Sequence, residues 1–108
     1  SPEAKAAIEA AIRKAAKKPT GELTKADLEK VKTLDLGSNQ LTDVTPLKEL
    51  TQLKVLYLNN NQLTDVTALK ELTQLTVLGL FNNPDLTKAQ IDELQKALPK
   101  CKISSDHD

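Results

Sequence analysis

Residues 34–55 and 56–77 are one 22-residue string written twice. LDLGSNQLTDVTPLKELTQLKV and LYLNNNQLTDVTALKELTQLTV agree at 17 of 22 positions without a gap. They differ only at Asp35/Tyr57, Gly37/Asn59, Ser38/Asn60, Pro46/Ala68 and Lys54/Thr76. Leu78, Leu80 and Asn83 begin a third copy, and Leu28, Val31 and Leu34 carry the phase backwards. A repeat this short is one supersecondary unit that cannot bury its apolar side alone, so its copies must stack into a solenoid.

The spacing inside a unit says what each copy becomes. Leu56 and Leu58 alternate, which puts both on one face of a short strand. Leu63, Val66, Leu69 and Leu72 recur every three residues, which suits a tight helical or 3₁₀ return. Strand plus return arc, stacked, predicts an α/β solenoid with a parallel sheet of about four strands on one side. Asn39, Asn61 and Asn83 recur with the same period, and we read them as an amide column that satisfies turn backbone groups. The repeated threonines at 42/64, 45/67 and 51/73 read as turn hydroxyls rather than as a ligand-binding row.

The motif LTDVTPLKELTQL at 41–53 resembles the 22-residue, internalin-like class of leucine-rich repeats, and the resemblance covers roughly residues 28–83. GELTKADLEKV at 21–31 resembles the helical cap that precedes such repeats. The resemblance implies an interaction scaffold that binds a protein partner on its concave sheet face, with no catalytic residue in the repeat. It also implies a secreted or cell-surface setting if the chain is natural.

The ends read as caps. Ser1-Pro2-Glu3 starts a helix with a cap residue, a proline in the first turn and an acid near the positive pole. Ala4, Ile8, Ala11, Ile12 and Ala15 form its apolar stripe, and Pro19-Thr20-Gly21 is expected to end it. Residues 3–18 hold two acids and five bases, which is either dipole-matched solubility or a basic patch for an acidic partner. Thr24 opens a second short helix, and Thr87-Lys88-Ala89-Gln90 forms a capping box for a third that runs to about Leu98. Leu98-x-x-Cys101-x-Ile103 repeats the leucine spacing, so residues 100–104 are expected as a terminal strand, 23 residues after the third. The division is 1–30 helical cap, 31–83 repeats, 84–104 C-terminal cap and 105–108 tail, all one domain.

Composition narrows the function. Fifteen Lys+Arg balance fifteen Asp+Glu, which argues against a nucleic-acid or anionic-membrane binder. No apolar stretch approaches 18 residues, so no leader or membrane span is expected in these residues. The single cysteine, Cys101, occupies a leucine slot and reads as a buried thiol. The single histidine, His107, lies in the tail SSDHD, which reads as a frayed, solvated end rather than a metal site of Asp106, His107 and Asp108. Asp43 and Asp65 repeat on adjacent rungs and read as solvated turn residues rather than an acid–base pair. We assign no cofactor, no metal and no catalytic residue.

Of the 28 Leu, Ile and Val residues, all but Val55 and Val77 fit inward slots. Strand alternation places those two on the concave face with Tyr57 and Phe81, the chain's only aromatics. The expected rows across the sheet are Thr33, Val55, Val77, Lys100; then Asp35, Tyr57, Gly79, Lys102; then Gly37, Asn59, Phe81, Ser104. Gly79 is expected to leave a notch between Tyr57, Val77 and Phe81. The candidate partner-binding residues are Asp35, Val55, Tyr57, Asn59, Val77, Gly79, Phe81 and Lys102. The cluster has the composition of a binding hot spot, and the same residues are also good strand formers. Two functions therefore stand side by side: a monomeric protein-interaction module, or an engineered, consensus-type scaffold with no dedicated ligand.

Overall fold

The 22-residue copies come into register as neighbouring strands of one parallel sheet in the computed structural model, which describes residues 1–107. The elements are helix α1 (Pro2–Ala16), helix α2 (Lys25–Glu29), and strands β1 (Thr33–Asp35), β2 (Val55–Tyr57) and β3 (Val77–Gly79). Helix α3 (Lys88–Ala97) and strand β4 (Lys102–Ser104) follow. The sheet order is β1-β2-β3-β4, and Leu34, Leu56 and Leu78 lie opposite one another. The two return arcs contain 3₁₀ turns at Thr45–Leu47 and Thr67–Glu71, as spacing by threes predicts. The molecule measures 41 × 28 × 15 Å.

The inward slots form one ladder. All the Leu, Ile and Val residues assigned inward are buried except Leu23, Leu28 and Ile103, and those three pack half-buried against the rest. Each rung's leucines close gaps that the next rung leaves open, so the ends need covers. Helix α1 covers the first rung with Ile8, Ile12 and Ala16. Its start is capped by the Ser1 hydroxyl, which accepts the Ala4 N–H at 3.1 Å. It ends earlier than Pro19 predicts, at Ala16, because Lys17 turns left-handed (φ 58°). The Arg13 guanidinium then donates to the carbonyls of Lys18 (3.2 Å) and Gly21 (2.8 Å), which fixes the turn. Helix α2 begins in a capping box of Thr24 and Asp27. Lys18 donates to Asp27 at 2.7 Å, so Arg13 and Lys18 of the basic segment are engaged within the cap. Helix α3 covers the other end with Ile91 and Leu94, behind the Thr87–Gln90 capping box.

The asparagine column forms as predicted at its inner rungs. Asn61 Nδ2 donates to the carbonyls of Leu36 (3.0 Å) and Leu58 (2.9 Å), while Oδ1 accepts the N–H groups of Asn39 and Leu41, both at 3.0 Å. Asn83 repeats the arrangement one rung on, with Leu58, Leu80 and Leu63 as its partners. Each amide therefore serves its own rung and the one before it. Asn39 has no earlier rung to serve, stays half-buried, and donates only to its neighbour Gly37 (3.1 Å). At Ser38, Asn60 and Asn82 the chain turns left-handed, with φ of 61°, 60° and 61°. Asparagine is among the few L-residues that visit this region readily.

Two expectations at the C-terminal end are corrected. Strand β4 pairs Val77 with Lys102, Leu78 with Ile103 and Gly79 with Ser104. The expected register, with Lys100 beside Val77 and Lys102 beside Gly79, is therefore off by two residues. The spacing of three runs along the whole return arc, so it marks the last turn (Leu50 to Leu53) as well as the strand entry (Leu53 to Leu56). The Cys101 N–H donates to Leu98 (3.1 Å), as Leu53 does to Leu50 and Leu75 to Leu72. Leu98-x-x-Cys101 is thus the turn, not the strand entry. The tail, expected to fray, is docked. The Asp106 carboxylate accepts the Asn82 N–H at 3.0 Å and the Asn83 N–H at 3.3 Å. His107 Nε2 sits 2.8 Å from the Leu86 carbonyl, which can only accept, so Nε2 carries the proton. Asp108 lies outside the described residues.

Candidate functional site: the sheet face

Because each strand is only three residues long, the outward sheet face is two full rows deep. With the corrected register these are Thr33, Val55, Val77, Lys102 and Asp35, Tyr57, Gly79, Ser104. A third line, Gly37, Asn59 and Phe81, follows where the strands run out, tied by Ser38 N–H to Asn59 C=O (3.0 Å) and Asn60 N–H to Phe81 C=O (2.9 Å). The structure brings Tyr57, Asn59, Val77, Gly79 and Phe81 together. It puts Lys102 in the row of the valines, one row away from its expected place beside Gly79.

Exposure divides the eight candidate residues. Tyr57 is 38% and Phe81 50% exposed, and Asp35 and Lys102 are also exposed. Val55, Val77 and Asn59 are half-buried, so the valines contribute edges rather than whole side chains. Gly79 is buried, and the expected notch does not exist. A Cβ at Gly79 would meet the Asn59 amide at 2.9 and 3.0 Å and the Tyr57 ring at 3.2 Å. The amide of Asn59 lies over the glycine and accepts the Phe81 N–H at 2.8 Å. This one side chain thus fills the gap and ties the second rung to the third. Sequence reasoning took the glycine as empty space. A glycine within a strand also signals that another group approaches closely, and here that group is Asn59.

A shallow depression of about 400 Å3 opens at the corner of this face, lined by Asp35, Gly37, Ser38, Tyr57, Asn59 and Asn60. Asp35 Oδ1 accepts the Gly37 N–H at 2.9 Å. No ion pair engages Asp35 among the described residues.

Asp43, Asp65 and Cys101 have structural surroundings. Asp43 and Asp65 meet in a parallel bridge between rungs. Asp43 accepts the Thr45 N–H (3.0 Å) and hydroxyl (2.7 Å), and Asp65 accepts the Thr67 N–H at 2.8 Å. The Thr45 N–H and hydroxyl hold the Asp43 carboxyl below the usual range, and the Thr67 hydroxyl and N–H do the same for Asp65. Both are therefore ionised turn caps, and neither is poised to hold a proton at neutral pH. Cys101 is buried, and burial pushes its thiol up, away from the thiolate. Among the described residues no group of three or more His, Cys, Asp or Glu is placed to hold a metal ion, and no helix is long and apolar enough to cross a membrane.

Residues 29–71 and 51–96 match the family model for leucine-rich repeats (2 copies). Comparison with curated proteins returns no match. Among solved structures the chain is similar to internalin C2 from Listeria monocytogenes, at 28% identity and a TM-score of 0.63. The alignment covers 90% of this chain and 52% of that one, so this chain spans about half the length of the internalin it matches.

Proposed function

We propose that this chain, which belongs to the leucine-rich-repeat family, binds a protein partner on the concave face of its sheet. The observation that carries the proposal is the pair Tyr57 and Phe81, the large hydrophobic side chains left exposed among the described residues. A folded chain with nearly all its aliphatic side chains inside has no packing reason to hold both of its aromatics outside. Aromatic side chains centred in a polar surround are the usual anchors of an interface. Half-buried Val55 and Val77 continue the apolar surface beside them, and Asp35 and Lys102 lie at opposite ends with opposite charge. The fold's similarity to an internalin supports the interaction role at the level of the family. In this reading the module works as a monomeric, non-enzymatic unit.

A second reading, a consensus-type scaffold with no dedicated ligand, is favoured by the 17 identities in 22 between the two repeats. Positions facing a partner diversify, whereas a framework does not need to. Three of the five differences, Asp35/Tyr57, Gly37/Asn59 and Lys54/Thr76, fall in or beside the sheet rows, which favours the first reading. The test is affinity capture from a panel of extracts with the parent chain, a Tyr57→Ala/Phe81→Ala variant and a Lys88→Ala control on α3. The module reading expects a protein retained by parent and control and lost by the double variant, with circular dichroism unchanged. Equal retention by all three, or none by any, refutes it in favour of the scaffold.

A further inference from the structure

We infer that the depression between Asp35 and Tyr57 takes an arginine side chain presented by the protein partner. This rests on the reading of the sheet face as an interface and names the chemistry of one anchor on it. The depression is shallow and open to solvent, about 400 Å3, which is ample room for one side chain. Its only charged lining group is the Asp35 carboxylate. One oxygen of that carboxylate accepts the Gly37 N–H, which fixes its orientation, and the other has no hydrogen-bond partner among the described residues. The Ser38 and Tyr57 hydroxyls also make no hydrogen bond within the described residues, and both accept. The site therefore offers several acceptors, one formal negative charge and a tyrosine in its lining.

That set discriminates between ligand chemistries. An anion meets the Asp35 carboxylate. An apolar side chain leaves the carboxylate desolvated without a partner, which is costly. A cation gains from the carboxylate and, at an aromatic face, from the ring as well. Between the two common cations, a planar guanidinium can stack on Tyr57 while its fork of donors reaches a carboxylate and a hydroxyl together, which a compact ammonium cannot do. Lys14 and Lys17 line a separate depression of about 440 Å3 on the other side of Asp35, with Thr33 and Leu34. Neither reaches ion-pair distance of the Asp35 carboxylate. Their charge is exposed and screened, so it lowers the attraction without filling the site. The Asn59 amide, which also lines the depression, is held in place by the Phe81 N–H, so this wall is ordered in advance of binding.

The probe is N-acetyl-arginine amide, titrated into the ¹⁵N-labelled chain and followed through backbone amide shifts, with N-acetyl-citrulline amide as the neutral isostere. Saturable shifts are expected at Gly37, Ser38, Asn59 and Asn60, with binding weaker by about fivefold for citrulline and for Asp35→Asn. Asparagine keeps an acceptor for the Gly37 N–H, and unchanged spectral dispersion elsewhere shows that the variant is folded. Equal shifts from arginine and citrulline, undiminished binding to Asp35→Asn, or shifts confined to Ala11, Lys14 and Ala15 would each overturn the inference. The result is separable from the capture experiment. Capture that depends on Tyr57 and Phe81 but survives Asp35→Asn keeps the interface and removes the arginine anchor. Arginine binding without any captured partner keeps the anchor site and removes the interface.

Discussion

Replacing Asn61 by alanine should cost far more than making the same change at Asn39, although the two residues hold the same place in the repeat. Asn61 is 4% exposed, and its amide makes five hydrogen bonds to backbone groups of two rungs, the longest to the Asn59 carbonyl at 3.3 Å. Alanine leaves the carbonyls of Leu36 and Leu58 and the N–H groups of Asn39 and Leu41 without that partner. An unsatisfied buried backbone group costs about 1–3 kcal/mol. The Leu58 carbonyl still accepts from Asn83 Nδ2 at 3.0 Å and the Asn39 N–H is only half-buried, so the Leu36 carbonyl and the Leu41 N–H bear the cost, for a total of about 2–6 kcal/mol. Asn39 donates once, to Gly37, and its loss should cost about 1 kcal/mol or less. Domains of this size are stable by roughly 5–15 kcal/mol, so Asn61→Ala brings the fold close to its limit. In urea, with a slope of about 2 kcal/mol per molar, the midpoint should fall by about 1 M or more for Asn61→Ala and by about 0.5 M or less for Asn39→Ala. Asn61→Asp should not rescue, because it keeps the acceptor but loses both donors and buries a charge. Equal midpoints for the two alanine variants would refute the idea that each amide serves the rung before it.

Gly79→Ala should lower the melting temperature by forcing the Asn59 amide aside, at about 1–3 kcal/mol, and should speed hydrogen exchange at the Phe81 N–H; an unchanged exchange rate would show that Asn59 does not lock the third rung. The Lys18 ammonium, then the Thr24 N–H and hydroxyl, hold the Asp27 carboxyl well below the usual range. The stability it contributes is therefore complete above the unfolded-state pKa, near pH 4, and is lost as pH falls further, so thermal melts should decline below about pH 4 and decline less steeply in Asp27→Asn. Equal acid sensitivity in parent and variant would contradict that assignment. Cys101, buried with a raised thiol pKa, should react with a disulfide reagent orders of magnitude more slowly in the native chain than in guanidinium, and comparable rates would mean that the last turn is open.

The repeat made most of the fold legible in advance. Leucine spacing gives strand, turn and parallel stacking, because a unit that must bury Leu56, Leu58, Leu63 and Leu69 at once has few ways to do so. The caps were readable from Ser1-Pro2 and Thr87–Gln90, since local side-chain hydrogen bonds act within three or four residues. The strand register at Cys101 was not readable, because a spacing of three serves both the turn and the strand entry. Only the hydrogen bond from Cys101 to Leu98 distinguishes them. The sheet-face rows were legible through β3, while the filling of the Gly79 notch depended on where the Asn59 amide points. The docking of Asp106 was also hidden, for it joins residues 24 apart outside the repeated phase.

That carboxylate gives the asparagine column a direction. Asn61 and Asn83 are relays: each passes hydrogen bonding from rung to rung because an amide accepts on one atom and donates from another. Asp106 takes the N–H groups of Asn82 and Asn83 from beyond the last rung, but a carboxylate has no amide protons to pass back. Leu80 therefore receives an amide proton from its own rung, through Asn83, and none from beyond. Lengthening this molecule is then a question of where copies are inserted. Units spliced between residues 34 and 77 inherit a relay on either side. Units appended after Ser104 face a residue that can close the column and cannot extend it.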